Sequence, residues 1–272
     1  MAKVGLVQLR TPAGQGAALR HAESFIREAA AGGAKLIVTP EGTNLLQRDR
    51  TKLMSVLSAV DQDPCVAGLR GLAAELEVWL LIGSALVRRD DSKAANRSLL
   101  VDPRGHIVAS YDKLHMFDVD LPTGEKHRES STYEAGERAV IARAAGFVVG
   151  MTICYDLRFA ALYRALAAAG AELLTVPSAF TRPTGEAHWE ILLRARAIET
   201  GSFVVAPAQG GVHEDGRATW GRSMVVSPWG EVIARAESDE PCAIVAELDL
   251  DLVAKARRAI PALTAARAFV GP

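Results

Sequence analysis

The sequence has few cysteines, no long apolar run and no excess of one charge, and each absence removes a class of function. Its three cysteines, Cys65, Cys154 and Cys242, are odd in number, widely scattered and without C-x-x-C spacing. That pattern excludes a disulfide framework, a zinc ribbon and a thioredoxin-like redox pair. No stretch of 18 apolar residues that could cross a bilayer occurs. The opening "MAKVGLVQLRTPAG" is too short and too soon interrupted for a secretory signal, so a cytoplasmic protein is expected. A formal net charge of −1 gives no global pull toward nucleic acid or an anionic membrane, which leaves a small molecule as the expected ligand. The H-E-x-x-H, G-x-S-x-G and Walker patterns are missing, and Gly14-Gln15-Gly16 fails as a dinucleotide fingerprint because Leu19 occupies the third glycine position. No cofactor and no metal is implied.

What is present is a 272-residue chain, 49% hydrophobic, long enough to bury a large core and read as one domain over residues 1–272. Short β-rich runs alternate with helical patterns throughout. "KVGLVQL", "AKLIVTPEG" and "WLLIGSAL" read as strands, Gly16 to Ala31 as an amphipathic helix, and Asp63-Pro64 as the cap and first turn of a helix running through Glu77. "NRSLLVDPRGHIVASYDK" has hairpin spacing around Asp-Pro-Arg-Gly. Residues 115–138 lack periodicity and read as a long loop of the kind that usually carries function. Beyond it come a strand at 146–153, a helix at 157–169, the strand "AELLTVP", a helix at 186–199, the strand "SFVVAPAQ", a glycine-rich loop at 210–221, the hairpin "SMVVSPWGEVIAR" and the strand "CAIVAEL". Strands joined both by helices and by hairpins imply an α/β architecture of layered sheets covered by helices.

Three polar residues follow strand-like runs at comparable places: Glu41 after "LIVTP", Lys113 after "HIVASYD" and Cys154 at the end of "FVVGMTIC". Ligands of open α/β sheets sit beyond the carboxyl ends of strands, so such residues can converge. A thiol is a strong nucleophile once deprotonated, a carboxylate can take its proton, and an ammonium can stabilise an oxyanion. Each also has a plainer explanation, as core cysteine, solvated glutamate and surface lysine, and position alone does not choose.

The local wording does. "TPEGTN", "YDKLHMFDVDLP" and "GMTICYDLRF" resemble the three signatures of the nitrilase superfamily of carbon–nitrogen hydrolases, in that family's order and spacing. Further similarity runs through "VPSAFTRPTGEAHWEILLRARAIET", "VVAPAQGG" and "GRSMVVSPWGEV". The resemblance implies a four-layer α-β-β-α sandwich with Glu41 as general base, Lys113 as oxyanion stabiliser and Cys154 as nucleophile. It also implies a second glutamate, Glu129, beside the amide or Lys113, with Glu125 as competitor, and the Tyr155 backbone N–H as a further oxyanion donor. Ser178, Ala179 and Phe180 match pocket-lining positions. The wording is closest to the branch of ω-amidases and deaminated-glutathione amidases, which implies hydrolysis of the terminal amide of a small carboxylate-bearing substrate. N-carbamoyl amino acid hydrolase, general aliphatic amidase or nitrilase, and a silent binding protein of the same fold are the alternatives. A homodimer paired across the helices at 157–169 and 186–199 is implied as well.

Several nearby residues bear on this. A cysteine just before a helix and near Lys113 is expected to have a depressed thiol pKa. Asp156 is expected as a helix cap or a partner of Arg158, and Arg158 as either that partner or a grip on a substrate carboxylate. Arg128, Arg182, Arg217 and Arg222 also stand in or beside candidate pocket loops. His115 is expected to orient its loop rather than form a Cys–His dyad, and Cys65 and Cys242 are expected to be inert. Ala160 departs from the family, where proline is frequent at this helix start.

Overall fold

The computed structural model describes residues 2–90, 92–122 and 124–271. In chain order the elements are β1 (Ala2–Gln8), α1 (Gln15–Ala31), β2 (Leu36–Val38), α2 (Arg50–Val56), α3 (Pro64–Glu75), β3 (Trp79–Arg88), β4 (Ala94–Val101) and β5 (Ile107–Asp112). Then follow β6 (Asp118–Asp120), β7 (Lys126–Arg128), β8 (Val140–Ala144), β9 (Phe147–Met151), α4 (Ala160–Ala168), β10 (Leu173–Thr175), α5 (Arg182–Thr200) and β11 (Phe203–Ala206). The chain ends with β12 (Gly210–Val212), β13 (Ala218–Trp220), β14 (Met224–Val226), β15 (Val232–Arg235), β16 (Cys242–Leu248) and α6 (Asp251–Ala259).

Two six-stranded sheets result, ordered β16-β1-β2-β3-β4-β5 and β15-β14-β11-β10-β9-β8. Each has three parallel strands at its centre, one antiparallel strand on one side and an antiparallel pair on the other. The two sheets are thus built alike, although the sequence contains no repeat.

Period-two burial stacks the layers. On β2, Leu36 and Val38 join the core that also holds Val149 and Met151 of β9, while Ile37 between them joins α1 and α3 through Ile26 and Leu69. On the far side, Leu162 and Leu166 of α4 and Trp189 and Leu193 of α5 pack onto the second sheet. The order is therefore helix, sheet, sheet, helix. A buried leucine or isoleucine of this kind is worth about 1.5–3 kcal/mol relative to exposure.

Local chemistry explains the ends. Asp63 accepts the Val66 N–H at 2.9 Å and caps α3, with Pro64 in its first turn. Gly83 has no side chain because a Cβ there would collide with the carbonyls of Thr39 and Pro40 and with Pro177. That contact brings the end of β2, which leads to Glu41, against the end of β10, which leads to Ala179.

Four readings of the sequence need correction. Residues 115–138 are not one loop: β6 and β7 pair as an antiparallel hairpin, followed by a 3₁₀ turn at Glu129–Ser131. The glycine-rich segment 210–221 is likewise a hairpin, β12 with β13. The helix at 157–169 starts only at Ala160, behind a 3₁₀ turn spanning Cys154–Arg158, and α5 begins at Arg182 rather than 186. Short strands built of His, Lys, Gly and Asp have no alternation to betray them; backbone pairing alone makes them strands. Elements α2, β8 and α6 had no sequence expectation at all. No helix among the described residues is long and apolar enough to cross a membrane.

Candidate active site

Glu41 is held before its carboxylate does anything. Pro40 ends the strand, the Gly42 N–H donates to Ser84 Oγ at 2.8 Å, the Ser84 N–H donates to the Pro40 carbonyl at 3.1 Å, and Gln209 Nε2 donates to the Glu41 carbonyl at 3.0 Å. The side chain then points inward, 7% of the residue being exposed. Oε2 accepts the Ala179 N–H at 2.9 Å, while Oε1 accepts Asn96 Nδ2 at 2.8 Å and Lys113 Nζ at 3.0 Å.

Lys113 follows directly on β5, whose last residue, Asp112, is clamped by a bidentate contact with Arg97 at 2.6 and 2.8 Å. Its ammonium lies between two carboxylates, meeting Glu41 at 3.0 Å and both oxygens of Glu129 at 2.9 Å. Glu129 is held in turn by the Phe117 N–H at 2.6 Å. Of the two glutamates in competition, Glu129 reaches Lys113, whereas Glu125 sits on the hairpin facing His127.

Cys154 adopts a left-handed backbone with φ of 50°, a conformation that costs a non-glycine residue free energy and that clusters at functional sites. Its N–H donates to the Pro177 carbonyl at 2.9 Å, and the thiol faces the Glu41 carboxylate. The Tyr155 N–H, one residue on, has no partner among the described residues.

The electrostatics are those of a buried cluster. Burial would raise the Glu41 carboxyl, but the Lys113 charge and the hydrogen bonds from Cys154, Lys113 and Asn96 outweigh it and hold Glu41 below the ordinary carboxylate value. Burial would likewise lower Lys113, and the flanking Glu129 and Glu41 charges reverse that, holding it well above its ordinary value. Burial, then the Glu41 charge, push the Cys154 thiol well above its ordinary value. The expectation of a depressed thiol is therefore corrected. The segment after Cys154 is a five-residue 3₁₀ turn rather than an α-helix, Glu41 faces the sulfur, and Lys113 is already neutralised by two carboxylates. These directions favour an ionised Glu41 and Lys113 beside a protonated sulfur.

Asp156 meets one of its two expectations, capping the 3₁₀ turn through the Ile153 N–H, and not the other, an ion pair with Arg158. Its carboxylate accepts from Tyr111 Oη at 2.6 Å, the Ile153 N–H at 2.9 Å, the His115 N–H at 3.1 Å and His115 Nδ1 at 2.7 Å. It ties the loop bearing Lys113 to the loop bearing Cys154 and makes no ion pair with Arg158. His115 is occupied by Asp156 and stacks on Phe159 with ring centroids 3.5 Å apart. Arg158 instead lies 3.3 Å from His188 Nδ1, above the rings of Tyr155 and Phe180.

These groups open into a cavity of about 640 Å³, walled in part by Tyr155, Arg158, Ala179, Phe180 and Tyr133. Ser178 is not part of the wall: it is fully buried and turns its hydroxyl to the Val176 carbonyl at 3.0 Å. Among the candidate arginines, Arg128, Arg182 and Arg217 are bound to Asp120, Asp239 and Asp215, and Arg222 lines a different cavity beside Trp220. Arg158 alone of the five lines the main cavity without a carboxylate partner among the described residues. Asn96, which the sequence reading did not single out, lies inside "ANRSLL" like any residue of a half-polar strand. No group of three or more potential metal-ligating side chains occurs among the described residues.

A measurable consequence concerns the thiols. Cys65 is pushed up to about 12 by burial and the Asp63 charge, and Cys242 is raised by burial and the Glu28 charge, and among the described residues neither has a carboxylate hydrogen-bonded to the sulfur as Glu41 is to Cys154. Iodoacetamide at neutral pH is expected to alkylate Cys154 first, as read by peptide mass spectrometry, and to do so at least about tenfold more slowly in Glu41→Gln, where the proton acceptor is gone. Unchanged alkylation in that variant would show that Glu41 does not activate the sulfur.

A sandwich of two such sheets, helix-covered on both outer faces, is the nitrilase-type architecture. The chain belongs to the carbon–nitrogen hydrolase family, whose match covers residues 3–258. It is 43% identical over 206 residues to a deaminated glutathione amidase of Yersinia enterocolitica, covering 75% of this chain and 72% of that one. The crystal structure of the C. elegans NitFhit protein superposes with a TM-score of 0.89 at 33% identity, covering 98% of this chain but only 66% of that one. Saccharomyces cerevisiae Nit3, described as a member of branch 10 of the nitrilase superfamily, superposes with a TM-score of 0.85 at 29% identity over 96% of this chain and 94% of its own. The chain is accordingly a hydrolase of non-peptide carbon–nitrogen bonds.

Proposed function

We propose that the enzyme cleaves the terminal amide of a small carboxylate-bearing substrate, of the deaminated glutathione or α-ketoglutaramate type, through a thioester on Cys154. The observation that carries the reading is the Glu41 carboxylate, bound to Lys113 at 3.0 Å and facing the Cys154 thiol, whose ionisation burial and the Glu41 charge oppose.

In this reading Glu41 accepts the thiol proton as Cys154 Sγ attacks the amide carbon. Lys113 Nζ and the Tyr155 N–H receive the negative oxygen. Glu41 then returns the proton to the departing nitrogen, which leaves as ammonia from a primary amide or as an amine from a substituted one. A water molecule gives a proton to Glu41 and its oxygen to the thioester carbon, and the sulfur leaves and recovers the proton. Glu129 keeps the Lys113 ammonium fixed throughout. The name carried by the Yersinia relative supports the substrate class.

Arg158 is the proposed grip on the carboxylate. It lines the cavity above Tyr155 and Phe180, and among the described residues both terminal nitrogens of its planar fork meet only His188 Nδ1, a partner that a substrate carboxylate would replace with a bidentate contact. Arg158→Gln is expected to raise KM for α-ketoglutaramate about 10- to 100-fold with a smaller change in kcat, and to leave propionamide turnover nearly unaltered. Steady-state kinetics with ammonia detection checks this. Equal turnover of propionamide and the keto-acid amide by the unaltered enzyme would make it a general aliphatic amidase instead. The exposed Ile191 and Ile198 of α5 support pairing of two copies across that helix.

A further inference from the structure

Asn96, on β4, donates to both carboxylates of the cluster. Its Nδ2 donates to Glu41 Oε1 at 2.8 Å and to Glu129 Oε1 at 3.3 Å, while its main-chain carbonyl accepts the Lys113 backbone N–H at 3.0 Å. The residue is 3% exposed. Two carboxylates can only accept, so they fix which end of the amide faces them: the NH₂ group must. The other end, Oδ1, is then left buried with no hydrogen-bond partner among the described residues. A buried acceptor without a donor is destabilising and rare in folded proteins. A leucine here would fill the space without that cost. What the asparagine supplies in exchange is one rigid donor shared by two carboxylates.

We propose that Asn96 is a positioning residue for the reaction: its NH₂ group ties Glu41 to Glu129 and keeps Glu41 an ionised acceptor aimed at Cys154. The inference rests on the reading of Glu41 as the base. While Glu41 is a carboxylate it takes hydrogen bonds from Asn96, Lys113 and the Ala179 N–H. Once it holds the thiol proton its oxygens are poorer acceptors, and Nδ2 has Glu129 Oε1 within reach as the alternative. The charged or titratable groups facing Glu41 are Lys113 from the end of β5 and Cys154 from the turn after β9, with Glu129 across Asn96 and Tyr133 on the same wall. Of these, Lys113 supports the ionised form and Glu129 opposes it, so a neutral double donor between the two carboxylates is what the arrangement needs.

Three variants test the inference: Asn96→Ala removes the donor, Asn96→Asp keeps the shape and adds a third carboxylate around one lysine, and Asn96→Gln keeps the donor on a longer stem. The measurement is kcat/KM against pH, together with the pH dependence of Cys154 inactivation by iodoacetamide, which involves no amide substrate. In Asn96→Ala both acid limbs are expected to move up by about one pH unit, with an activity loss at neutral pH of about 10- to 100-fold. Asn96→Asp is expected to move them further, and Asn96→Gln to restore part of the loss. Acid limbs that stay in place in the Ala and Asp variants, while Glu41→Gln is inactive, would overturn the role of Asn96 alone. Full activity in Glu41→Gln would overturn the base assignment on which the inference depends.

Discussion

Cys154→Ala is expected to reduce amide turnover by about 10³-fold or more, to the limit of detection, while the protein melts within a few degrees of the parent. The sulfur is the strongest nucleophile in the cluster, since the Glu41, Glu129 and Lys113 groups are tied to one another, and neither Cys65 nor Cys242 lines the cavity. Alanine removes one buried atom from a site already open to the cavity, so little packing is lost. The left-handed backbone at position 154 remains, since alanine carries the same Cβ penalty. Cys154→Ser is expected to retain only a trace of activity, because an alkoxide is far harder to generate than a thiolate. Ammonia release is the readout for turnover, with circular dichroism for the fold. Wild-type rates in Cys154→Ala would exclude the thioester route.

Glu41→Gln is expected to lose about 10²- to 10⁴-fold in kcat/KM, the usual contribution of a general base. The fold should tolerate it. Lys113 keeps both oxygens of Glu129 as acceptors, and the new amide oxygen can still accept from Lys113 and Asn96. Its NH₂ end would face the Ala179 N–H, so one hydrogen bond is lost and a buried donor left unpaired, costing ~1–3 kcal/mol. His115→Asn, by contrast, is expected to change the rate only modestly, because that ring is bound to Asp156 and stacked on Phe159. A larger loss in His115→Asn than in Glu41→Gln would favour a Cys–His dyad. The pH profile adds a separate check. With Glu41 held below its ordinary value and the thiol held well above its own, kcat/KM should be flat through neutrality, falling on the acid side only below the usual carboxylate range.

Residue chemistry and local spacing carried the fold class, most of the long strands and the identity of Glu41, Lys113 and Cys154 as candidates. Those readings rest on information that is local in the chain: apolar alternation, the Asp63-Pro64 start of α3, prolines that end strands, and three short motifs. The hairpins β6–β7 and β12–β13 were not legible, because their residues acquire strand geometry from a partner rather than from alternation. The thiol pKa was misjudged for a related reason. A lysine expected in the same site says nothing of the two carboxylates that flank it, one of them 72 residues away along the chain.

Sequence alone determined that this chain would hold a carboxylate, an ammonium and a thiol at strand ends, since residue type and the end of an apolar run are written locally. Only the tertiary structure decided which groups meet. It brought the end of β2 against the end of β10 through the missing side chain of Gly83, set Asn96 between Glu41 and Glu129, and turned Asp156 toward Tyr111 and His115 instead of Arg158. The reason is that charge interactions and hydrogen bonds in a buried cluster depend on distances of a few ångströms between distant segments, and on the exclusion of water around them.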